Sequence, residues 1–281
     1  MQIPSHIIDQ VIRLSLAEDI GNGDITSSNC LSESHTSRGH FLAKSPGILC
    51  GTDIARAVFT ALDAEVIYEK CYADGATLTG ERDVIANVYG RSRSILMGER
   101  VALNFMQRMS GVATITREYV NVVCDTGVTI VDTRKTTPGL RAFEKYAVHV
   151  GGGRNHRYGL YDAVMIKDNH IRACGTIGQA VAAVRNVIGH TVKIEVEASS
   201  LNDVSQAIIS GADIILLDNM TTEMMREAVE LVGNRAITEA SGGITRERLI
   251  EIARAGVDVI SVGALTHSVP ALDISLDLES T

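Results

Sequence analysis

The chain has 281 residues, 45% of them hydrophobic and 21% charged, which is typical of a globular protein with a large buried core. Its formal charge of −8 argues against a general nucleic-acid-binding surface, and no apolar run approaches the roughly 18 residues of a membrane span. The opening stretch MQIPSHIIDQ lacks the features of a secretory signal, and five scattered cysteines favour reduced thiols over a disulfide framework. We therefore expect a cytoplasmic protein without membrane or nucleic-acid partners.

The N-terminal region combines helical and extended patterns. Apolar residues recur between Ile7 and Leu16 with the spacing of one buried helical face, and the stretch EDIGNGDITSS is predicted to end that helix. Extended structure is predicted for GHFLAKSPGILCG, AEVIYEK and ERDVIANVYG, with a helix capped by Thr52 between the first two. A long helix over about 95–123 leads into the second region.

From Val128 onward, short apolar runs alternate with helical segments about every 20–25 residues. The runs are VTIV, AVMI, VKIEV, IILL, AIT and VISV. Apolar strands that alternate with helices indicate a buried parallel sheet, either a closed β/α barrel or an open doubly wound sheet. The barrel is favoured because polar residues follow nearly every run and no G-x-G-x-x-G follows a strand. Six runs instead of eight predict a reduced barrel.

The ends of these runs collect charged and small residues. In a β/α barrel the residues that follow each strand face the active-site end. Here they are Arg134, Lys135, Lys167, Glu197, Asp218, Ser241–Gly243 and Gly263. The segment from Thr133 to Arg172 also holds eight Lys or Arg against three acids, in a chain that is acidic overall. The pattern predicts a pocket for a highly anionic ligand accompanied by a divalent cation.

Basic residues supply one side of this predicted pocket. The candidates are Arg134, Lys135, His156 and Arg157. Arginine presents a planar fork that matches carboxylate or phosphate, whereas lysine acts as a point charge, so this set suits two carboxylates and part of a phosphate chain. Solvated surface charge is the alternative for any basic segment, and it stays open for Arg141, Lys145 and Arg154.

Acidic and small residues supply the other side. Glu197 and Asp218 each end an apolar strand, where an unpaired carboxylate is poorly solvated. Pairing with Lys167 or coordination of Mg²⁺ would each remove that cost. Glu195 lies two residues before Glu197, on the same side of an ideal strand, so the sequence does not separate their roles. The stretches ASGGIT and SVGALT after the last two strands are typical of loops whose backbone contacts phosphate.

Seven motifs extend this pattern over nearly the whole chain, from Glu18 to Ser268. They are EDIGNGDITS, GERVALNFMQRMSG, DTRKTTPGLRAFEKYAVHVGGGRNHRYGLYDAVMIKDNHI, IEVEASS, ILLDNM, EASGGI and VGALTHS. In this order they resemble the quinolinate phosphoribosyltransferase family. The resemblance implies a type II phosphoribosyltransferase fold, with an N-terminal α/β open sandwich over 1–110 and an incomplete, six- to seven-stranded α/β barrel over 111–269. The C-terminal tail, 270–281, is expected to pack on the first domain.

The resemblance also implies the site and the assembly. The implied quinolinate contacts are Arg100, Thr133, Arg134, Lys135, His156, Arg157 and Lys167. The implied phosphate contacts are Ser241, Gly242, Gly243, Val262, Gly263 and Ala264. Glu197 and Asp218 take the Mg²⁺–diphosphate positions, and together with Lys135 and Lys167 they are the predicted catalytic residues. At least a homodimer is implied, in which Arg100 is donated to the neighbouring subunit's site.

The implied reaction transfers phosphoribosyl from 5-phosphoribosyl 1-diphosphate to quinolinate with decarboxylation, giving nicotinate mononucleotide, diphosphate and CO₂ for de novo NAD biosynthesis. A nicotinate phosphoribosyltransferase and a non-catalytic anion-binding barrel are the alternatives. The number of cations favours a dicarboxylate substrate, and a mere sensor would not need the pair Glu197 and Asp218. No residue is assigned to protonation of the decarboxylated carbon, for which His156 is only a candidate.

Overall fold

A computed structural model describes residues 2–279 of the chain. Its helices are α1 (Ser5–Ile20), α2 (Ile25–Cys30), α3 (Thr52–Leu62), α4 (Ser92–Val123), α5 (Arg141–Val150), α6 (Asp168–Cys174), α7 (Ile177–Arg185), α8 (Leu201–Ile209), α9 (Thr222–Val232), α10 (Leu249–Arg254) and α11 (Ala264–His267). A 3₁₀ turn, Arg246–Arg248, leads into α10. Within residues 2–279, no helix combines the length and the apolar character that crossing a membrane requires.

The strands change character along the chain. They are β1 (Thr36–Ala43), β2 (Gly47–Ile48), β3 (Ile67–Lys70), β4 (Thr77–Leu78), β5 (Val84–Arg91), β6 (Thr129–Val131), β7 (Val164–Ile166), β8 (Ile194–Ala198), β9 (Ile214–Asp218), β10 (Ile237–Ser241), β11 (Val259–Ser261) and β12 (Ile274–Leu278). The first five strands and β12 pair with one another in antiparallel orientation, whereas the strands from β6 to β11 pair in parallel.

The contacts of the chain fall into two compact units. Unit 1 contains the residues up to Arg117, Thr136–Gly152 and the residues from Leu265 onward. Unit 2 contains Glu118–Lys135 and Gly153–Ala264. The division is not linear because α5 and β12 make their contacts within unit 1. The predicted linear domains, 1–110 and 111–269, stay a prediction.

Unit 1 is built on an antiparallel sheet with the strand order β12-β1-β5-β3. The last strand of the chain pairs with β1, from Gly39 opposite Leu278 to Ala43 opposite Ile274. Phe41 on β1 packs against Phe59 on α3, with ring centroids 6.0 Å apart and both side chains fully buried. Burial of such aromatic rings stabilises the contact between sheet and helix by the hydrophobic effect.

Unit 2 contains the parallel sheet, with the strand order β6-β11-β10-β9-β8-β7. Its six strands are the six apolar runs of the sequence. Among the described residues no ladder joins the two outer strands, β6 and β7, although Arg154 forms an isolated parallel bridge with Val131 at the edge of β6. The predicted fold class, an N-terminal α/β domain followed by an incomplete α/β barrel, is confirmed.

One local prediction in unit 1 is confirmed and another is wrong. The stretch EDIGNGDITSS ends α1 at Ile20, as predicted. It is followed at once by the short helix α2, because the carboxylate of Asp24 accepts a hydrogen bond from the backbone N–H of Ser27 and caps that helix. Thr52 is the first residue of α3 and not its cap. Instead, the carboxylate of Asp74 accepts hydrogen bonds from the backbone N–H groups of Gly51 and Thr52, and so caps the helix from a distant loop.

In the parallel sheet, residues that lie opposite each other on neighbouring strands form layers across the sheet, and every second layer has its side chains on the same face. The first layer contains Met165, Glu195, Ile214 and Ile237. The next layer toward the C-terminal ends of the strands contains Thr129, Glu197, Leu216, Glu239 and Val259. Beyond it, Asp218 lies opposite Ser241. All these residues share one face of the sheet, and six of them have polar or charged side chains.

Candidate active site

A cavity of about 450 Å³ lies at the C-terminal ends of the strands of unit 2. Its lining residues are Thr133, Arg134, Lys135, His156, Arg157, Met165, Lys167, Glu197, Leu216, Asp218, Asn219, Glu239, Ser241, Gly242, Gly243 and Ser261. Most of the predicted site residues of this unit therefore line one cavity. The lining strand residues belong to the face whose layers the register defines, because side chains of alternate residues point to the same side of a sheet.

Four predicted residues are not among those that line the cavity. Val262, Gly263 and Ala264 follow β11 directly, and the Val262 side chain is 1% exposed. The backbone N–H of Val262 donates to the carbonyl of Val131 at 2.9 Å. Arg100 lies on α4 in unit 1, where its side chain is exposed. Its predicted role in a neighbouring subunit stays a prediction.

The cationic part of the site brings two guanidinium groups near each other. Arg157 is half-buried, and its Nη1 donates to the carbonyl of Ala163 at 2.9 Å. Burial, and then the like charge of Arg134, hold the pKa of the Arg157 guanidinium below its usual range, although Glu195 opposes this shift. Like charges repel unless an anion lies between them, so this region is suited to an anionic ligand.

Lys167 and Glu197 form an ion pair at the rim of the cavity. Lys167 Nζ donates to Glu197 Oε2 at 3.0 Å, and the two side chains are 46% and 16% exposed. A partly exposed ion pair typically contributes only about 0–1 kcal/mol to stability. The pair can therefore exchange its internal contact for contacts with a ligand at little energetic cost.

A tight turn after β9 meets the glycine loop after β10. Asn219 Nδ2 donates to Asp218 Oδ2 at 3.0 Å, and the backbone of Asn219 has a φ of 54°. Gly242 also has a positive φ, 86°, and a Cβ atom there would lie 2.3 Å from Asn219 Oδ1. Both the backbone conformation and the close neighbour require glycine at this position. The backbone of this loop is consequently accessible to a ligand in the cavity.

A buried cluster lies deeper in the sheet. Nε2 of His156 is 3.2 Å from Glu195 Oε2 and 3.5 Å from Glu239 Oε1, and the two acids are 2% and 3% exposed. Within the described residues, neither Glu195 Oε1 nor Glu239 Oε1 has a hydrogen-bond partner. Burial of such oxygens without a partner is unfavourable, because water no longer solvates them.

His156 and Glu195 influence each other's pKa values. Burial by itself would lower the pKa of His156, but the contacts with Glu195 and Glu239 raise it to about 10. Burial raises the pKa of Glu195, although the imidazole opposes this shift. Since the pKa of His156 lies above neutral pH, its imidazole retains a proton that an isolated histidine would release. The backbone nitrogen of Arg157 lies 2.7 Å from Nδ1 of the same ring.

Two features of the site were not predicted from the sequence. Glu239 and Asn219 appear in the sequence analysis only inside the motifs EASGGI and ILLDNM, without a role of their own. The signal for Glu239 was its position two residues before Ser241, because residues two apart on a strand share a face. Asn219 carries no comparable signal, since its importance comes from a positive φ and from its contact with Gly242.

Two sets of side chains offer ligands for a cation. Glu197 and Asp218 present carboxylate oxygens in the cavity, which suits the preference of Mg²⁺ for oxygen ligands. His156, Glu195 and Glu239 have one ligand atom each within 4.8 Å of one another. Glu197 and Asp218 line the cavity together with the glycine loop, where a phosphorylated ligand could contact both. Glu195 and Glu239, in contrast, are buried.

These observations define the class of protein, an α/β-barrel enzyme whose strand ends are adapted to a phosphorylated, multiply anionic substrate. Comparison with known families identifies the family within this class. The N-terminal domain of quinolinate phosphoribosyl transferase matches residues 24–110, and the C-terminal domain of the same family matches residues 112–277. The chain belongs to the quinolinate phosphoribosyltransferase family, and the resemblance inferred from its motifs is confirmed.

Individual relatives agree with this membership. A probable carboxylating nicotinate-nucleotide pyrophosphorylase of Bacillus subtilis is 48% identical, with 93% of this chain and 90% of that protein covered. A protein of the same description from Synechocystis is 44% identical, with 98% and 94% covered. The crystal structure of NadC from Streptococcus pyogenes is 39% identical, covers 100% of both chains and superimposes with a TM-score of 0.94.

Proposed function

We propose that this chain transfers the phosphoribosyl group of 5-phosphoribosyl 1-diphosphate to quinolinate and releases CO₂, so that nicotinate mononucleotide and diphosphate are formed. The observation that carries the proposal is the convergence of Arg134, Arg157 and Lys167 on one cavity with Glu197 and Asp218. Relatives described as carboxylating nicotinate-nucleotide pyrophosphorylases support the same reaction. The step belongs to the biosynthesis of NAD.

Quinolinate is the proposed ligand of the cationic side. We assign its two carboxylates to Arg134 and Arg157, with Thr133, Lys135 and Lys167 beside them, because paired guanidinium groups bind planar anions with defined orientation. Fixing both carboxylates would orient the pyridine nitrogen toward the anomeric carbon of the ribose donor. The nitrogen itself is the nucleophile, so the protein needs no covalent intermediate.

The phosphoribosyl donor is the proposed ligand of the remaining rim. The 5-phosphate is assigned to Ser241–Gly243, whose glycine backbone allows close approach, and to the turn Val262–Ala264. Lys135 and Lys167 are assigned to the diphosphate, whose negative charge grows as it leaves. Loss of CO₂ then leaves electrons that the positively charged, ribosylated ring accepts.

Magnesium is the proposed cofactor, and the donor set fits it. Glu197 and Asp218 would hold the ion, since their carboxylate oxygens line the cavity beside the assigned phosphate positions. When bound, Mg²⁺ would supply charge stabilisation for the leaving diphosphate. The ion pair between Lys167 and Glu197 keeps the carboxylate oriented at a distance of 3.0 Å.

A homodimer in which Arg100 reaches the neighbouring subunit's site remains part of the proposal, supported by the exposure of that arginine and by its place in the GERVALN motif. The cytoplasmic location likewise stays a prediction. Neither prediction needs the activity assay for its test. The mass of the protein in solution tests whether it is a homodimer.

The decisive experiment offers the protein Mg²⁺ and 5-phosphoribosyl 1-diphosphate together with either quinolinate or nicotinate. We expect quinolinate to yield equal amounts of CO₂ and nicotinate mononucleotide, because the cation set matches a dicarboxylate. Consumption of nicotinate in preference to quinolinate would assign the protein to the alternative reaction. Binding of the ribose donor without any product would favour the non-catalytic anion-binding barrel.

A further inference from the structure

The basic residues of the cavity come from two stretches of the chain that α5 separates. Arg134 and Lys135 lie just before the segment Thr136–Gly152, which belongs to unit 1, and Arg157 follows this segment in unit 2. Proximity in the sequence therefore does not set the distance between Arg134 and Arg157. A contact between the two stretches is needed to fix the points from which these side chains enter the cavity.

The backbone provides the first part of this contact. Val131, the last residue of β6, forms a parallel bridge with Arg154. The backbone N–H of Arg154 donates to the carbonyl of Ile130 at 2.9 Å, and the N–H of Asp132 donates to the carbonyl of Arg154 at 3.2 Å. Among the described residues this pairing does not extend beyond Arg154. The backbone of β6 alone consequently does not hold the residues that reach the cavity.

The carboxylate of Asp132 continues the contact where the backbone pairing ends. Its Oδ1 accepts a hydrogen bond from the backbone N–H of His156 at 2.9 Å, and its Oδ2 accepts one from Nδ2 of Asn155 at 2.6 Å. Hydrogen bonds to a charged acceptor are stronger than those between neutral groups. One side chain thus holds two consecutive residues, up to the residue that precedes Arg157.

Arg157 has its own anchor at the other end of this segment. Its Nη1 donates at 2.9 Å to the carbonyl of Ala163, the residue that directly precedes β7. No ladder joins β6 and β7 among the described residues. The segment from Arg154 to Arg157 therefore connects the two outer strands of the sheet, and Asp132 supplies its side-chain contacts next to β6.

Asp132 itself is not placed to act on a ligand. Its side chain is fully buried, and it is not among the residues that line the cavity. Both of its carboxylate oxygens accept hydrogen bonds from the protein. Burial of a carboxylate is costly unless such contacts compensate it, and an apolar side chain would avoid this cost. The chemical nature of Asp132 is therefore explained by the segment that it holds.

We propose that Asp132 is a positioning residue for quinolinate binding, which joins the two basic stretches and sets the separation of Arg134 and Arg157. The inference rests on the proposed function, in which these two arginines bind the two carboxylates of quinolinate. It leaves the contacts implied for His156 as they are, since Asp132 holds the backbone of that residue. Asn155 is the partner of Asp132 in this role, because its side chain donates to the second carboxylate oxygen.

An exchange of two side chains tests this contact. Asp132→Asn turns an amide donor toward one of the two donors, and Asn155→Asp brings two carboxylates together where Nδ2 and Oδ2 now lie 2.6 Å apart. We expect each single variant to lower kcat/KM for quinolinate about 30-fold, mainly through KM. The combined variant keeps the net charge and restores both hydrogen bonds with one donor and acceptor reversed. Its kcat/KM should return to within about threefold of the wild-type value.

Recovery in the combined variant distinguishes positioning from two independent losses. Independent losses would multiply to a fall of about 1,000-fold, and that result would overturn the proposal. The KM for the phosphoribosyl donor should stay within about twofold of the wild-type value in all three variants, because other residues are assigned to that ligand. A parallel rise in both KM values would likewise contradict a role specific to quinolinate.

Asp213→Asn is the matched control. Oδ2 of Asp213 also accepts a backbone N–H, that of Ile194 at 2.8 Å, but at the opposite end of the sheet. We expect this variant to lose stability and to keep the kcat/KM of the wild type per folded molecule. A loss of quinolinate kcat/KM equal to that of Asp132→Asn would show that any weakened acceptor in this sheet has the same effect, and would refute the positioning role.

Hydrogen exchange of the His156 backbone amide, followed by NMR without ligand, tests the contact apart from activity. In the wild type we expect protection of at least about 100-fold relative to an unstructured peptide, and an unprotected amide would refute the contact without any variant. In Asp132→Ala the His156 amide should exchange at least about tenfold faster. The amide of Val262, which donates to the carbonyl of Val131 at 2.9 Å, is the internal reference and should change much less.

Calorimetry and turnover with quinolinate separate this inference from the proposed function. A wild-type protein with a protected His156 amide that neither binds nor converts quinolinate would refute the proposed function. Unchanged quinolinate affinity in Asp132→Asn, with a wild type that binds and converts quinolinate, would refute the positioning role alone.

Discussion

The two ends of the parallel sheet in unit 2 use acidic residues in opposite ways. At the N-terminal ends, Asp213 and Asp258 precede β9 and β11 and accept hydrogen bonds from neighbouring strands. Asp213 Oδ2 lies 2.8 Å from the backbone nitrogen of Ile194. Asp258 Oδ2 lies 2.8 Å from both the backbone nitrogen and Oγ1 of Thr238. These acids satisfy backbone groups and join one strand to the next.

At the C-terminal ends, acids contact side chains of the cavity itself. Glu197 pairs with Lys167, and Asp218 accepts from the side chain of Asn219. Such contacts can be exchanged for a ligand, whereas a buried backbone N–H that loses its acceptor remains unsatisfied. Stability and ligand binding are thus assigned to opposite ends of the same strands, and variants at either end can test this separation.

The largest effect on activity is expected from removing both proposed metal ligands. Glu197→Gln together with Asp218→Asn should lower kcat by about 1,000-fold, because charge on the leaving diphosphate is no longer stabilised. Steady-state kinetics with varied Mg²⁺ measures this loss of kcat. The KM for quinolinate should stay within about threefold of the wild-type value, since other residues are assigned to that ligand. A selective rise in that KM would instead place these acids at the quinolinate position.

Arg157→Ala should have the next largest effect. We expect kcat/KM for quinolinate to fall about 100-fold, mainly through KM, because one carboxylate loses its charged partner. Arg235→Ala is the matched control, since Arg235 is exposed at the N-terminal end, where its Nε donates to the carbonyl of Val232. Comparable losses of quinolinate kcat/KM in the two variants would contradict the separation of the two ends.

Glycine substitutions give a smaller effect and an internal comparison. Gly242 and Gly211 have similar φ values, 86° and 75°. A Cβ atom at Gly242 would meet Asn219, whereas at Gly211 no atom of the described residues would lie within 4 Å of it. Each change to alanine should cost about 1–2 kcal/mol of stability from the backbone alone. Gly242→Ala should in addition raise the KM for the phosphoribosyl donor about tenfold, because the loop must shift. Equal KM values in the two variants would argue against a phosphate contact at Gly242.

The smallest effect on activity is expected at the N-terminal end. Asp258→Ala leaves the buried backbone N–H of Thr238 without its acceptor, so the free energy of unfolding should fall by about 1–3 kcal/mol. Urea denaturation measures this loss. The kcat/KM per folded molecule should equal that of the wild type, and a fall in that value would show that the two ends are coupled.

The fold was accessible from the sequence because buried parallel strands are apolar throughout, which makes each strand visible as a short run. The rim residues followed from the rule that strand ends face the active site. The sequence did not reveal which face of each strand turns inward. The roles of Glu195 and Glu239 depend on register, and the cap that Asp74 provides for α3 depends on a contact between residues more than twenty positions apart.

Glu195 Oε1 and Glu239 Oε1 are buried without a hydrogen-bond partner among residues 2–279, and this has an evolutionary consequence. Apolar side chains of similar volume would pack in the same space without a desolvation penalty, and such replacements often increase stability. Selection for heat resistance alone would therefore tend to remove this cluster. Its persistence in a lineage would mark continued selection for activity, and its loss would be an early sign that the protein had become a scaffold without its enzymatic role.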